Sequence, residues 1–189
     1  MRRILIIKHG AFGDVIQSEG ALHDIREHHK GDDIAVMTTP PYRRIFERCP
    51  WVDRVIVDPR APRWRIDLMR KLGQSIADEK FDMVYDLQNS ARTAFYFRWF
   101  FKGVDWSGTA KGASHPVRLK NPKKIRSLDR MASQLKDAGL SVISQRASSR
   151  KATRSSPRRG RTSLTLPPPF PARRSKAHAV FSTGLNWQA

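Results

Sequence analysis

A glycine-flanked turn near the amino terminus carries the residue types best suited to chemistry. In the segment IIKHGAFGDVI an apolar run ends at a lysine and a histidine, Gly10 and Gly13 follow, and Asp14 is the first acidic residue of the chain. An aspartate at the start of a helix either caps free N–H groups or accepts a proton from a substrate hydroxyl as a general base. The residue types leave both interpretations of Asp14 open.

The same turn is suited to binding an anion, although its pattern is incomplete. Glycines let a backbone approach a ligand closely, and the N–H groups at a helix start attract negative charge. Lys8 and His9 would add positive charge there, or would be solvated loop residues. The turn lacks the third glycine of the dinucleotide fingerprint G-x-G-x-x-G, and the Walker pattern G-x-x-x-x-G-K-[ST] is absent from the sequence. A nucleotide site is therefore only weakly indicated.

Alternating strands and helices must position this turn. Short β-branched runs predict strands over residues 3–8, 33–39, 54–58, 81–87 and 104–108. Apolar residues at helical spacing predict helices after the turn and over residues 42–49, 65–80, 90–101 and 125–139. The alternation predicts a Rossmann-like α/β fold, a parallel sheet with helices on both faces. Its ligand site is expected at the carboxyl ends of the strands, in the loops 8–14, 38–42, 58–64 and 86–92.

The last quarter of the chain differs in composition from the rest. The net charge is +19, yet none of the 17 acidic residues and ten of the 36 basic residues lie after Asp137. Residues 145–189 are rich in Ser, Arg and Pro and lack a lasting periodicity, which predicts a disordered basic tail after a folded domain over residues 1–144. A single cysteine excludes an intrachain disulfide, and no apolar stretch has transmembrane length, so a soluble cytoplasmic protein is expected.

Four segments in order resemble the ADP-heptose:lipopolysaccharide heptosyltransferases, glycosyltransferase family 9. They are RILIIKHGAFGDVIQ, MTTPPYRRIFERCPWVDRVIVDPR, FDMVYDLQNSARTAFYFR and WSGTAKGASHPVRLKNP. The resemblance covers roughly residues 2–140 and implies a GT-B glycosyltransferase, of which this is the N-terminal, acceptor-binding domain. It implies an inverting transfer of a heptose or related sugar from an ADP-sugar, with no metal and no cofactor.

The resemblance also implies roles for individual residues. Asp14 becomes the general base that deprotonates the acceptor hydroxyl. Loops after the first, third and fourth strands supply acceptor-binding residues, which are Lys8, His9, Gly10, Gly13, Arg60, Arg63, Asp86, Gln88 and Ser90. For the arginines a solvated basic loop remains the alternative, and for the last three residues ordinary hydrogen bonding within a loop does.

The resemblance implies the acceptor and the donor of the protein, and it also implies a second domain that binds the donor. The acceptor is the lipopolysaccharide core or lipid A precursor and the donor is ADP-heptose, so the protein is expected at the inner face of the inner membrane, in transient contact with its surface. The tail does not resemble the donor domain of the family. A truncated or frameshifted family member is therefore expected, inactive alone because the donor half is absent.

Two other functions fit part of the sequence. The first is a Rossmann-like module that binds a nucleotide without catalysis, against which the incomplete glycine pattern argues. The second is non-specific binding of nucleic acid through the arginine-rich tail. Neither the tail nor the domain shows a nucleic-acid recognition motif, so no specific nucleic-acid partner is expected.

Overall fold

Residues 1–117 and 125–143, which this computed structural model describes, form an α/β domain of six strands and six helices. The strands β1 to β6 are Arg3–Ile7, Asp33–Thr38, Arg54–Val57, Met83–Asp86, Asp105–Gly108 and His115–Pro116. The helices α1 to α6 are Phe12–Gln17, Glu19–His28, Arg43–Glu47, Ile66–Asp78, Ala91–Phe100 and Ser127–Asp137, and the 3₁₀ turn Pro40–Tyr42 precedes α3. The predicted strands and helices are present at close to their predicted bounds, except that the first predicted helix is divided into α1 and α2, and β6 was not predicted.

All strands of the described sheet are parallel and stand in the order β3-β2-β1-β4-β5-β6. The chain moves outward from β1 to β3, then returns to place β4 on the other side of β1. Ile4 of β1 pairs with Ile34 of β2 and with Met83 of β4. The order therefore reverses between β1 and β4, and in open parallel sheets such a reversal opens a crevice at the carboxyl ends of the strands.

Helices cover both faces of this sheet. Ile4 and Ile6 of β1 lie in one apolar cluster with side chains of α2 and α6, whereas Leu5 and Ile7 lie in the opposite cluster with side chains of α4 and α5. All four strand residues are fully buried. A strand buried on both sides needs a continuous apolar run rather than an alternating one, which is the pattern of β1. The Rossmann-like fold class is confirmed.

The ends of two helices show how the sequence sets the loops. α5 begins with a capping box, in which Ser90 Oγ accepts from the N–H of Thr93 and Thr93 Oγ1 accepts from the N–H of Ser90. α6 is followed by Gly139 at φ +85°, and the N–H of Leu140 donates to the carbonyl oxygen of Leu135. Only glycine adopts such a positive φ without strain, so Gly139 ends the helix where the sequence predicted.

Several expectations concern regions or features beyond this sheet. The tail predicted over residues 145–189 and the domain boundary at 144 lie outside the described residues. Within residues 1–117 and 125–143, no helix has the length and apolar character that crossing a bilayer requires. The same residues contain no cluster of three or more His, Cys, Asp or Glu side chains suited to a metal ion.

Candidate active site

The carboxyl ends of β1 and β4 bring several of the predicted residues together. Ile7 pairs with Asp86 at the end of these adjacent strands. Lys8 Nζ donates to the carbonyl oxygen of Leu87 at 3.3 Å, and the N–H of His9 donates to Gln88 Oε1 at 3.0 Å. Two direct contacts therefore join the loop after β1 to the loop after β4, and we call the surface that these loops and the loop after β3 form the crevice.

Asp14 lies in the first turn of α1, half-buried at this crevice. Ala11 occupies the N-cap position of α1, and no side chain caps the helix. Within the described residues the carboxylate of Asp14 makes no hydrogen bond, so the structure shows a carboxylate that is not acting as a cap. Such a group is available to accept a proton from a bound hydroxyl.

Lys8 supplies a buried positive charge next to Asp14. Its side chain is 2% exposed. Burial lowers the pKa of the Lys8 ammonium, Asp14 and Asp86 partly offset this effect, and Arg130 of α6 adds to it. The charge of the ammonium thus interacts with the carboxylates of Asp14 and Asp86, and the predicted base lies in the field of a cation of the protein.

Asp86 mainly shapes the loop that follows β4. The carboxylate is buried, and its Oδ1 accepts from the N–H of Gln88 at 3.1 Å and of Asn89 at 2.8 Å. Burial raises the pKa of Asp86 to about 6, although hydrogen bonds from Thr93 and these amides and the charge of Lys8 oppose the rise. Asp86 therefore holds its proton to a higher pH than an exposed aspartate does.

Gln88 and Ser90 also make hydrogen bonds within the protein. Gln88 holds the backbone of His9, as described above, and Ser90 caps α5. Both side chains are half-buried at the crevice. Ordinary hydrogen bonding of these loop side chains to the protein, the alternative noted for them, is thus present in the structure, and their contact with an acceptor stays a prediction.

The two glycines of the first turn differ in their surroundings. Gly10 has φ +132°, and a Cβ atom there would lie 2.4 Å from Cε2 of Tyr42. The ring of Tyr42, which ends the 3₁₀ turn after β2, therefore occupies the space beside Gly10. A Cβ at Gly13 would meet no atom within 4 Å. Close approach at Gly10 serves packing against Tyr42, whereas Gly13 borders open space.

The arginines predicted after β3 lie in an exposed loop, residues 59–65, which we call the basic loop. Arg60 is exposed, and its charge contributes to the electrostatic environment of His9. The guanidinium of Arg63 lies over the ring of Phe95, 5.8 Å from its centroid. Arg65 Nη2 pairs with Asp67 Oδ2 at 3.0 Å. Arg60 is thus at the crevice, Arg63 lies along α5, and Arg65 already has a carboxylate partner.

A buried cluster around Asp58 was missed by the sequence analysis. Asp58 is fully buried; its oxygens accept from the O–H of Tyr96 at 2.6 Å, the N–H of Arg60 at 2.7 Å and Arg92 Nε at 3.2 Å. His9 Nε2 lies 3.4 Å from Asp58 Oδ2. Burial lowers the pKa of His9 to about 4, so its imidazole is neutral at pH 7. One signal pointed here, because RVIVD ends in an aspartate just as MVYD does.

A concave region of about 460 Å³ lies elsewhere on the domain. Its lining comes from the end of α5, the start of β5 and the loop before β6, and includes Phe97, Arg98, Lys102 and Ser114. None of the predicted site residues lines it. Because it lies near the amino end of β5, it is separate from the crevice.

Solved glycosyltransferases share this architecture. A glycosyl transferase family 9 structure from Veillonella parvula has a TM-score of 0.64 and 22% identity over 76% of this chain and 42% of that one. The E. coli heptosyltransferase WaaC with ADP-2-deoxy-2-fluoro heptose has a TM-score of 0.57 and 21% identity over 75% of this chain and 50% of that one. E. coli ADP-heptose lps heptosyltransferase II has a TM-score of 0.56 and 23% identity over 71% and 40%.

The chain shares the fold of part of these glycosyltransferase structures. It spans half or less of the length of these structures. No protein-family model and no curated protein sequence matches it. The likeness confirms, at the level of the fold, the resemblance found in the four sequence segments.

Proposed function

We propose that this chain is the acceptor-binding part of an inverting glycosyltransferase of the heptosyltransferase type, with Asp14 as general base. The observation that carries the proposal is the half-buried carboxylate of Asp14, which makes no hydrogen bond within the described residues and interacts electrostatically with the buried ammonium of Lys8. It lies where the strand order reverses, which is the usual ligand site of such sheets. The shared fold and the sequence resemblance supply the reaction class.

The chemistry follows from this arrangement. Asp14 takes the proton of an acceptor hydroxyl while that oxygen forms a bond to the anomeric carbon of the donor sugar, and the bond to the ADP leaving group breaks. Inversion results from this single displacement. The proposed donor is ADP-heptose and the proposed acceptor is a lipopolysaccharide core or lipid A precursor at the inner face of the inner membrane. The proposed chemistry uses no metal and no cofactor.

The geometry of the first turn argues against the nucleotide-binding alternative. In a dinucleotide site, the backbone of the glycine turn lies against the pyrophosphate. Here the ring of Tyr42 occupies the space beside Gly10. Tail-driven binding of nucleic acid concerns residues outside the described part of the chain, and it is separated from the proposal by the experiment below.

Acceptor binding by the full chain tests the proposal. The purified protein is titrated with lipid A carrying the inner-core sugars in detergent micelles, with ADP and empty micelles as controls. The variant Arg60→Ser/Arg63→Ser is compared with Arg44→Ser/Arg48→Ser, which removes the same charge from exposed positions on and after α3. The first is expected to weaken binding by at least about tenfold, because a single hydrogen bond to a charged group already contributes about 1.5–3 kcal/mol.

The result that contradicts the proposal is equally definite. If both double variants weaken binding equally, or if RNA displaces the lipid, the acceptor is held by general positive charge and not at the crevice. Asp14→Asn is expected to leave acceptor affinity unchanged. Where a donor domain is supplied in trans, it is expected to lower the rate of transfer from ADP-heptose by at least about 10²-fold. Binding of ADP in place of the acceptor would favour the nucleotide-binding module.

A further inference from the structure

The basic loop is attached to the rest of the crevice by a buried carboxylate, Asp58, and a half-buried arginine, Arg92. We infer that Asp58 and Arg92 are positioning residues, which hold the cations of the basic loop beside the loop that carries Asp14. The inference rests on the proposed function, in which Arg60 and Arg63 bind anionic groups of the acceptor. It concerns side chains that the sequence did not single out.

The basic loop begins with an unusual backbone conformation at Arg60. Arg60 has φ +55°, a left-handed conformation that residues with a side chain rarely adopt. Its N–H donates to Asp58 Oδ1 at 2.7 Å. Because Asp58 is fully buried, this hydrogen bond is protected from competition by water. The carboxylate therefore stabilises a turn that the chain does not favour by itself.

Arg92, which lies in the first turn of α5, extends its side chain to both Asp58 and the basic loop. Its Nη2 donates to the carbonyl oxygen of Ala61 at 3.0 Å and lies 3.3 Å from Asp58 Oδ1. Its Nε contacts Asp58 Oδ2 and the hydroxyl of Tyr96. A planar guanidinium makes these contacts together, which an ammonium does not reproduce. Arg92 thus holds the basic loop at a second point, one residue beyond the first.

His9 connects the cluster around Asp58 to the loop after β1. His9 is 4% exposed, lies 3.4 Å from Asp58 and packs edge-on against Tyr96 with ring centroids 6.3 Å apart. His9 precedes Asp14 by five residues on the same loop and helix start. The cluster around Asp58 therefore contacts both the loop that leads to Asp14 and the basic loop, and it connects the two.

The charges within the cluster around Asp58 balance one another. Arg92 is the cation that pairs with Asp58, and His9 adds none because it is neutral at pH 7. Among the described residues, neither Arg60 nor Arg63 has a carboxylate within ion-pair distance. The cluster is therefore balanced internally, which leaves the two guanidinium groups of the basic loop available to an anion.

Arg92→Lys tests the inference, because it keeps the positive charge and removes the planar guanidinium with its several N–H donors. The matched control is Arg98→Lys, an exposed position on the same helix. Two signals are followed by NMR on the full chain: hydrogen exchange of the Arg60 amide, and the shifts of Arg60 and Arg63 during titration with inorganic pyrophosphate. We expect Arg92→Lys to speed Arg60 exchange and to weaken pyrophosphate binding, each by about tenfold, since contacts to charged groups are lost.

A second variant guards against general unfolding. Tyr96→Phe keeps the ring and removes one donor to Asp58, so a smaller change in the same direction is expected, while core amides such as that of Val84 keep their exchange rates. Faster Arg60 exchange with unchanged pyrophosphate affinity would overturn the inference, since the cluster would then be structural only. So would wild-type protein in which pyrophosphate shifts neither arginine. If pyrophosphate binds there and the lipid acceptor does not, the proposed function fails and the inference stands.

Discussion

The side-chain amide of Gln134 donates to the carbonyl oxygen of Asp86 at 3.0 Å, which fixes α6 to the carboxyl end of β4. The same Nε2 lies 3.0 Å from the carbonyl oxygen of Ser107, and Gln134 Oε1 accepts from Asn89 Nδ2 at 2.8 Å. Gln134 is 1% exposed, so water does not replace it. One side chain of α6 therefore holds two strand ends and the loop after β4.

Gln134→Leu is expected to destabilise the domain by about 2–4 kcal/mol, because the polar groups it pairs with stay buried without a partner. The free energy of unfolding in urea measures the change. Lys136→Ala, at an exposed position of the same helix, serves as control and is expected to stay within about 0.5 kcal/mol of wild type. Equal stability of Gln134→Leu and wild type would contradict this account of α6.

Gly10→Ala is expected to destabilise the domain by more than about 1 kcal/mol, because the added Cβ lies 2.4 Å from the Tyr42 ring and φ is +132°. Gly13→Ala is the matched control, since its Cβ enters open space within a helix, and there a gain of about 0.4–1 kcal/mol is expected. Thermal unfolding of the two variants gives the comparison. The same loss at both positions would show that Tyr42 is not packed on Gly10.

Asp86 is expected to make stability fall as pH rises from about 4 to about 6. Its pKa is raised from 3.8 to about 6 in the folded protein, so the folded state binds the proton more tightly than the unfolded state. Asp86→Asn removes this pH-dependent loss of stability, because asparagine does not titrate. Relative to wild type, the variant should gain about 3 kcal/mol between pH 4 and pH 7, at 1.36 kcal/mol per pKa unit. Urea unfolding across this range measures it, and a constant difference would contradict the burial argument.

His9 is expected to make the stability of the domain fall as pH falls, over nearly the same pH range as Asp86. Its pKa is lowered from 6.5 to about 4, so the stability it contributes is present above pH 6.5 and is lost as pH falls through 4. Relative to wild type, His9→Gln should therefore gain about 3 kcal/mol on going from pH 7 to pH 4. The same unfolding series detects this slope, and a slope of the Asp86→Asn sign would show that His9 is charged when folded.

The sequence predicted the parts of the fold that leave a local pattern. β1 is a continuous apolar run because both of its sides are buried, and α6 ends at Gly139 because the turn needs a positive φ. β6 has only two residues, too few for any periodicity to be visible. The predicted first helix is divided at Ser18, whose Oγ donates to the carbonyl oxygen of Val15 and competes with the helical hydrogen bonds.

The sequence predicted which loops form the crevice, but it did not predict the contacts between their side chains. Lys8 and Asp86 were found because they follow apolar strands. Asp58 has the same sequence setting, yet its partner Arg92 lies 34 residues further on, and no local spacing links such residues. Tyr42 likewise meets Gly10 only after β2 has been placed next to β1. Contacts of this kind depend on the order of strands in the sheet, which composition and periodicity do not specify.

The position of β4 beside β1 also governs when the crevice is able to form during synthesis. The contact between Lys8 and Leu87 joins residues that are 79 positions apart, as does the contact between His9 and Gln88. Closing such long loops costs chain entropy before any contact repays it, which slows folding. A ribosome-bound chain that has not yet extended past β4 therefore carries Asp14 but lacks the loop that forms the other side of the crevice.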